Sequence, residues 1–270
     1  MTALVNHFAF EFKAGLRNAT LLMMNYLFPL GFYVMMGLVM TQINPMFAET
    51  MIPAMVVFSA MASTLLGMPT PLVESREAGI FRSYRINGVP AANILLMPVL
   101  TTVFHVLIVS AIIALTGVPL FDGIAPENWP AFAGVTLVAV LSCAGIGSLI
   151  GVVAQDSRAV VLFSQLIFLP AMLIGGVMMP LDVLPESVRP FSLLLPTSHA
   201  MQAYLGYAYG QETLLSPLGA VLVLTGSGVL AFGLAIYLFN WDSKNDAQRG
   251  HPLMALLALV PYVIAMITQI

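Results

Sequence analysis

Residues 131–154 read AFAGVTLVAVLSCAGIGSLIGVVA, a run of 24 positions without one Asp, Glu, Lys or Arg. About 20 apolar residues in helical form cross a hydrocarbon core roughly 30 Å thick. Because lipid offers no partner for an exposed peptide group, such a run must bond its backbone internally, as a helix does. Working outward, comparable runs lie at about 21–40, 51–73, 92–116, 159–179 and 218–239. Of the 270 residues, 60% are hydrophobic and 8% charged, with a mean hydropathy of +0.97. Soluble domains carry about 25% charged residues, so a soluble fold is excluded. The class expected is an all-α integral membrane protein with six transmembrane helices.

The basic residues support that count. Placing the N-terminus in the cytoplasm puts Lys13, Arg17, Arg76, Arg82, Arg85, Arg158, Lys244 and Arg249 inside and only Arg189 outside. Residues 1–18 are broken by His7, Glu11, Lys13 and Arg17, unlike a signal peptide. Instead Leu4, Phe8, Phe12 and Leu16 recur every four positions, the pattern of an amphipathic helix lying in the interface over 1–20. Residues 21–240 form the six-span domain, and 241–270 a turn followed by an extra hydrophobic segment. That segment, Leu253 to Thr268, reads either as a seventh span or as an interfacial helix broken near Pro261. The stretch from Pro180 to Pro217 is too polar to span and too apolar for a solvated loop. It reads as short helices dipping into the outer leaflet or as a loop packed on helix ends. A lone cysteine, Cys143, excludes an intrachain disulfide and any cysteine-based metal cluster.

The densest polar cluster lies between the second and third spans, where Glu74, Arg76, Glu77, Arg82 and Arg85 interleave with Ile80, Phe81, Tyr84 and Ile86. The pattern suits either a short amphipathic helix that docks into a partner or a solvated, topology-setting loop. Arg76-Glu77-Ala78-Gly79, followed by Arg82, Arg85 and Pro90, resembles the cytoplasmic coupling-helix motif of ABC-2-type exporter permeases. A second match lies downstream. Leu169-Pro170, Gly175-Gly176, Met179-Pro180, Leu184-Pro185 and Pro196-Thr197-Ser198-His199-Ala200 resemble that family's fifth span and the outer segment after it. The resemblance covers about residues 4 to 240, with Ile80 where the family often has threonine and with the C-terminal tail as an addition.

The resemblance implies a transport subunit in the cell membrane, with no catalysis of its own. A separate ATPase subunit binds ATP and Mg, and a second copy of this chain or a related permease completes the pathway. Lipids are the other expected contact, and no nucleic acid is expected. Glu74, Arg76, Glu77, Gly79, Arg82 and Arg85 are the expected contacts to the ATPase; Gly176, Pro180, Pro185, Pro196 and His199 mark the outer re-entrant segment. The implied substrate is hydrophobic or amphipathic: a drug, lipid, glycan or peptide. Independently of the family, a phosphate-binding loop needs Gly-Lys followed by Ser or Thr, whereas the only lysines, Lys13 and Lys244, follow Phe12 and Ser243.

Other signals are weaker. Gly147 and Gly151 form a small-residue pair suited to close helix contact. The 18 methionines suit packing against lipid better than a copper path. His105 is the one ionisable side chain near the middle of a span, either a functional site or a histidine bonded to a neighbouring helix. Tyr204, Tyr207, Tyr209, Trp129 and Trp241 fit interfacial belts. The rival function is an ion-coupled secondary transporter, yet every Asp and Glu falls at or beyond a span end. An intramembrane hydrolase finds only Ser110 and His105 on one span, five residues apart and poorly placed for contact.

Overall fold

The computed structural model describes residues 12–13, 18–44, 47–242 and 250–268. Its described residues form helices and turns, with no strand. Six helices are long and apolar enough to cross a membrane: α1 (Ala19–Ile43), α2 (Phe47–Glu77), α4 (Ala91–Phe121), α5 (Trp129–Val153), α6 (Ser157–Ile174) and α9 (Pro217–Leu238). Shorter helices complete the chain: α3 (Ile80–Ile86), α7 (Arg189–Ser192), α8 (Pro196–Tyr209) and α10 (Val260–Thr268). The expected interfacial helix over 1–20 falls almost wholly outside the described residues.

The span boundaries follow local chemistry. Asn18, Asn128, Asp156 and Ser216 accept hydrogen bonds from the first backbone N–H groups of α1, α5, α6 and α9. Pro130, Pro196 and Pro217 each occupy a first-turn position, where the missing N–H costs nothing. The fifth span stops at Ile174, five residues short of the expected 179. Gly175 brings the backbone against Thr197, leaving no room for a Cβ, and Gly176 turns left-handed with φ +84°. Both features end a helix.

α2 is the central element, packed against α1, α4, α5, α6 and α8. Met51, Met55, Phe58, Met61 and Leu65 are wholly buried within it. Several methionines therefore fill the protein core rather than the lipid boundary, although Met23 and Met35 do remain exposed. Two π-helical segments, Met23–Leu27 in α1 and Ala62–Gly67 in α2, pack against each other. Such wide turns are rare and cluster at functional sites.

α8 corrects the aromatic-belt reading. Its 14 residues, about 21 Å of rise, run through the bundle against α4's neighbours α2 and α5 and against α9. Tyr204 is fully buried and donates a hydrogen bond to Thr136 Oγ1 at 2.7 Å, and Tyr209 is buried as well. Neither stands at a lipid interface; only Tyr207 of the three is exposed.

The tail packs along the bundle. A 3₁₀ stretch, Pro252–Leu259, continues into α10, together about 30 Å of rise. It lies antiparallel to α9, with Gly250 beside Leu238, Ser227 Oγ donating to the Ala258 carbonyl at 3.0 Å, and Pro261 beside Gly226. Tyr262 is fully buried, 3.3 Å from the Ser142 hydroxyl of α5.

Gly147 and Gly151 set the approach of α5 to α2. A Cβ on Gly147 would overlap the Thr64 carbonyl oxygen, and one on Gly151 would meet Leu72 at 2.9 Å. A third close crossing, unforeseen from the sequence, joins Gly145 to Gly228, where a Cβ would sit 2.6 Å from the Gly228 carbonyl oxygen. Gly147→Val should therefore destabilise the folded chain by at least the roughly 1–3 kcal/mol typical of overpacking. Gly134→Val, at a glycine with open space around it, should leave the thermal midpoint in detergent within error of the parent. Equal midpoints for the two variants would refute this account of the α2–α5 contact.

Candidate functional site

The polar cluster does not form one continuous helix. Glu74, Arg76 and Glu77 belong to the last turn of α2, and the chain then turns through Ala78 and Gly79 before α3 begins. Gly79 sits at φ +74°, a left-handed conformation that costs other residues roughly 1 kcal/mol or more. A second left-handed glycine, Gly88 at φ +72°, closes α3 before Pro90 opens α4. The helix is thus set off from both neighbouring spans by glycine turns.

Arg76 points inward. It is buried, and its guanidinium donates to the Val152 carbonyl at 2.8 Å and to the Ala154 carbonyl. These are orphan acceptors at the C-terminal end of α5, and a cation there also complements the helix dipole. Arg76 therefore ties α2 to the α5–α6 turn and presents no face to a partner. Arg76 shares one face of α2 with Leu72 and Val73, both buried in the core.

α3 packs through Phe81, which is buried with its ring 5.3 Å from Phe239, the residue following α9. Arg82 lies 2.8 Å from Asp242 in a partly exposed ion pair. Phe239 and Asp242 escaped the sequence reading because nothing local links them to α3. The remaining surface is open: Glu74, Glu77 and Arg85 are exposed, as are Ile80 and Ile86, the last at 86%. Exposed Ile80 and Ile86 flank Arg82 and Arg85, a mixed apolar and basic surface of the kind a docking helix presents.

At the other end of the bundle, the residues expected in a re-entrant segment come together around α8. Gly176 breaks α6, Pro180 precedes a 3₁₀ turn at Leu181–Val183, and the Pro185 carbonyl accepts from Val188 and Arg189. Pro196 opens α8. His199 Nε2–H donates to the Leu193 carbonyl at 2.8 Å, Ser198 Oγ donates to Ser192, and Thr197 Oγ1 donates to Ala171 of α6. The Ala171 and Ser192 carbonyls also accept from the Gly175 and Leu195 backbone N–H groups, so Thr197 and Ser198 add second donors there while His199 serves Leu193. The top of α8 is held at the start of α5, since the Ala208 carbonyl accepts from Glu127 and Asn128. His105 of α4 is buried, bonded to the Tyr26 hydroxyl at 2.6 Å and stacked on Phe12 at 5.0 Å. Among the described residues, no three His, Cys, Asp or Glu side chains converge as a metal site requires.

A protein of Bacillus subtilis (strain 168) named "Putative transport permease YvfS" is 24% identical over 193 residues, covering 70% of this chain and 78% of its own length. No solved structure matches the chain. The family model described as ABC-2 type transporter matches residues 4–209, which takes in α1 to α8 with both glycine turns that bound α3. A match over that much of the sequence, on a six-span all-helical fold, places this multi-pass membrane protein in the ABC-2 type transporter family, as the membrane subunit that works with an ABC ATPase.

Proposed function

We propose that this chain is the permease subunit of an exporter that moves a hydrophobic or amphipathic compound outward across the cell membrane. The observation that carries the reading is α3: a short helix bounded by two left-handed glycines, anchored by the buried Phe81 and exposing Ile80, Arg85 and Ile86. Its N-terminus and α3 lie in the cytoplasm, where an ATPase subunit with its ATP and Mg engages α3; this chain binds neither. Two permeases, two copies of this chain or this chain and a relative, enclose the pathway. An ion-coupled carrier finds less support. Among the described residues the acids of the spans are Glu49, Glu74 and Glu77, all in a first or last turn.

In this mechanism, closure of the ATPase subunits displaces α3 about its glycine turns. Gly79 passes the motion to α2 and Gly88 passes it to α4. Arg76, fixed to the carbonyls of Val152 and Ala154, carries the motion of α2 to the α5–α6 turn. Backbone hinges at a few residues let a rigid element move as a unit in this way. The contact residues are then Glu74, Glu77, Arg82 and Arg85, while Arg76 and Gly79 hold and hinge the helix.

Reversing both Arg82 and Arg85 to Glu should abolish recovery of the ATPase with the tagged chain and abolish transport. Arg82 belongs to a partly exposed ion pair worth about 1 kcal/mol or less, so the variant should stay folded and inserted. Unchanged transport would overturn the docking role of α3. Arg76→Met, by contrast, should lower stability by roughly 1.5–3 kcal/mol, the worth of hydrogen bonds to a charged group, seen as a lower thermal midpoint. Arg76→Lys should restore only part of it, because a single ammonium lacks the planar fork. Orientation is tested in a Cys143→Ala background with an impermeant maleimide: Glu212→Cys should label in intact cells and Arg85→Cys only after permeabilisation, and the opposite pattern reverses the topology.

A further inference from the structure

An apolar cleft of about 430 Å³ lies where the tail faces α6. One wall is α6, through Phe163 and Ile167, and the other is the tail, from Pro252 to Leu259. The last two turns of α5, from Ile146 to Val153, form the floor. Leu166 on one wall and Leu253 on the other are exposed, so the cleft opens sideways toward the membrane. Of the described residues that line it, only Tyr262 carries a polar side-chain atom, and that hydroxyl lies beside Ser142.

The walls fix its depth. Val153 ends α5 beside Arg76, and Gly250, just before the tail, lies against Leu238 at the same end of the bundle. From Pro252 the chain rises seven 3₁₀ steps of about 2.0 Å to Leu259 and three helical steps of about 1.5 Å to Tyr262, roughly 19 Å in all. Pro196 and Tyr262, both buried, stand at that far end, where α8 begins. One leaflet supplies half of a hydrocarbon core about 30 Å thick. The cleft therefore runs from the α3-side surface to about the middle of the bilayer. Its width selects the occupant: about 430 Å³ over roughly 19 Å is a mean section of about 23 Å². A helix 10–12 Å across needs about 80–110 Å². Apolar groups in contact lie about 4–4.5 Å apart, so one hydrocarbon chain needs about 16–20 Å². Water requires two to four polar partners, which this lining does not offer, and an empty slot forfeits the contacts of its walls.

We infer that the cleft holds one acyl chain of a glycerolipid from the leaflet on the α3 side, as a resident lipid. Protein meets that chain on three sides, whereas a lipid lying on the exposed face of α9 around Leu222 touches one helix. The greater contact slows its exchange with the bulk membrane. The tail is held to α9 by the bond from Ser227 to the Ala258 carbonyl and to α5 and α8 by Tyr262. The acyl chain completes its packing on the remaining side, toward α6. The inference does not rest on the transporter reading.

The experiment uses the purified full chain in phosphatidylcholine nanodiscs containing a trace of phosphatidylcholine with a diazirine at mid-chain. Samples are irradiated before, or after, transfer to mild detergent with repeated washing, and the labelled peptides are mapped. Before washing, residues 163–167, residues 253–262 and the face of α9 around Leu222 should all carry label. After washing, label on 163–167 and 253–262 should persist while that around Leu222 falls at least fivefold. Ala255→Trp, which fills the cleft from the tail, should cut the persistent label at least fivefold. Ile167→Trp fills it from α6 and serves should the first variant fail to insert. Label that washes equally from all three places, or that persists in these variants, overturns the site. In a Cys143→Ala background, Ile167→Cys should form no disulfide between copies; a cross-linked dimer would seat a second copy in the cleft and overturn the lipid.

Discussion

The fork from Arg76 to the carbonyls of Val152 and Ala154 is the contact on which the α3 end of the molecule depends. Every helix leaves its last carbonyls without intrahelical partners, and near a membrane there is little water to serve them. Here one guanidinium serves the end of α5, and in doing so fixes where α2 stops. Once α2 is pinned at its last turn, the chain has two residues in which to reverse before α3. That places α3 over the end of α9, where Phe81 meets Phe239. A charged side chain that composition assigns to the surface is thus a structural strut, while Glu74, Glu77 and Arg85 around it stay exposed.

The same rule, that buried polar backbone must find a partner, organises the opposite end. α8 enters the bundle where lipid-facing irregular chain would be intolerable. Thr197, Ser198 and His199 return hydrogen bonds to the chain just before or beside them, and Gln202 Oε1 accepts from Leu214 and Leu215 as the chain leaves again. The tail adds a further layer, since Tyr262 lies against His199 with ring centroids 5.4 Å apart and also reaches Ser142. The matched family segment ends at 209, before α9 and the tail.

Interior packing is set by small residues rather than by hydrophobic drive, which is absent between helices in lipid. Gly147, Gly151 and the Gly145–Gly228 crossing let α5 lie close to both α2 and α9. A cleft between α1, α2, α3 and α4 at the α3 end is lined by residues from Asn18 to His105. Its wall is shared between the spans and α3, so anything that occupies it and anything that moves α3 act on the same side chains.

The sequence alone determined the solvent, the number of spans and their approximate ends, because lipid demands runs of about 20 apolar residues whatever the tertiary arrangement. It also marked Gly79 as a place where the chain can turn, since that freedom is local to the backbone, whereas Gly176 ended a span that the apolar pattern carried on to about 179. It did not reveal that Arg76 turns inward while Arg85 stays exposed, that Tyr204 and Tyr209 are core residues, or that the tail runs back along α9. In lipid both faces of a helix can be apolar, so the hydrophobic pattern that separates inside from outside in water carries little information here. Which carbonyl an arginine reaches and which glycine meets which backbone depend on residues 76 to 160 positions apart, and only the assembled bundle decides them.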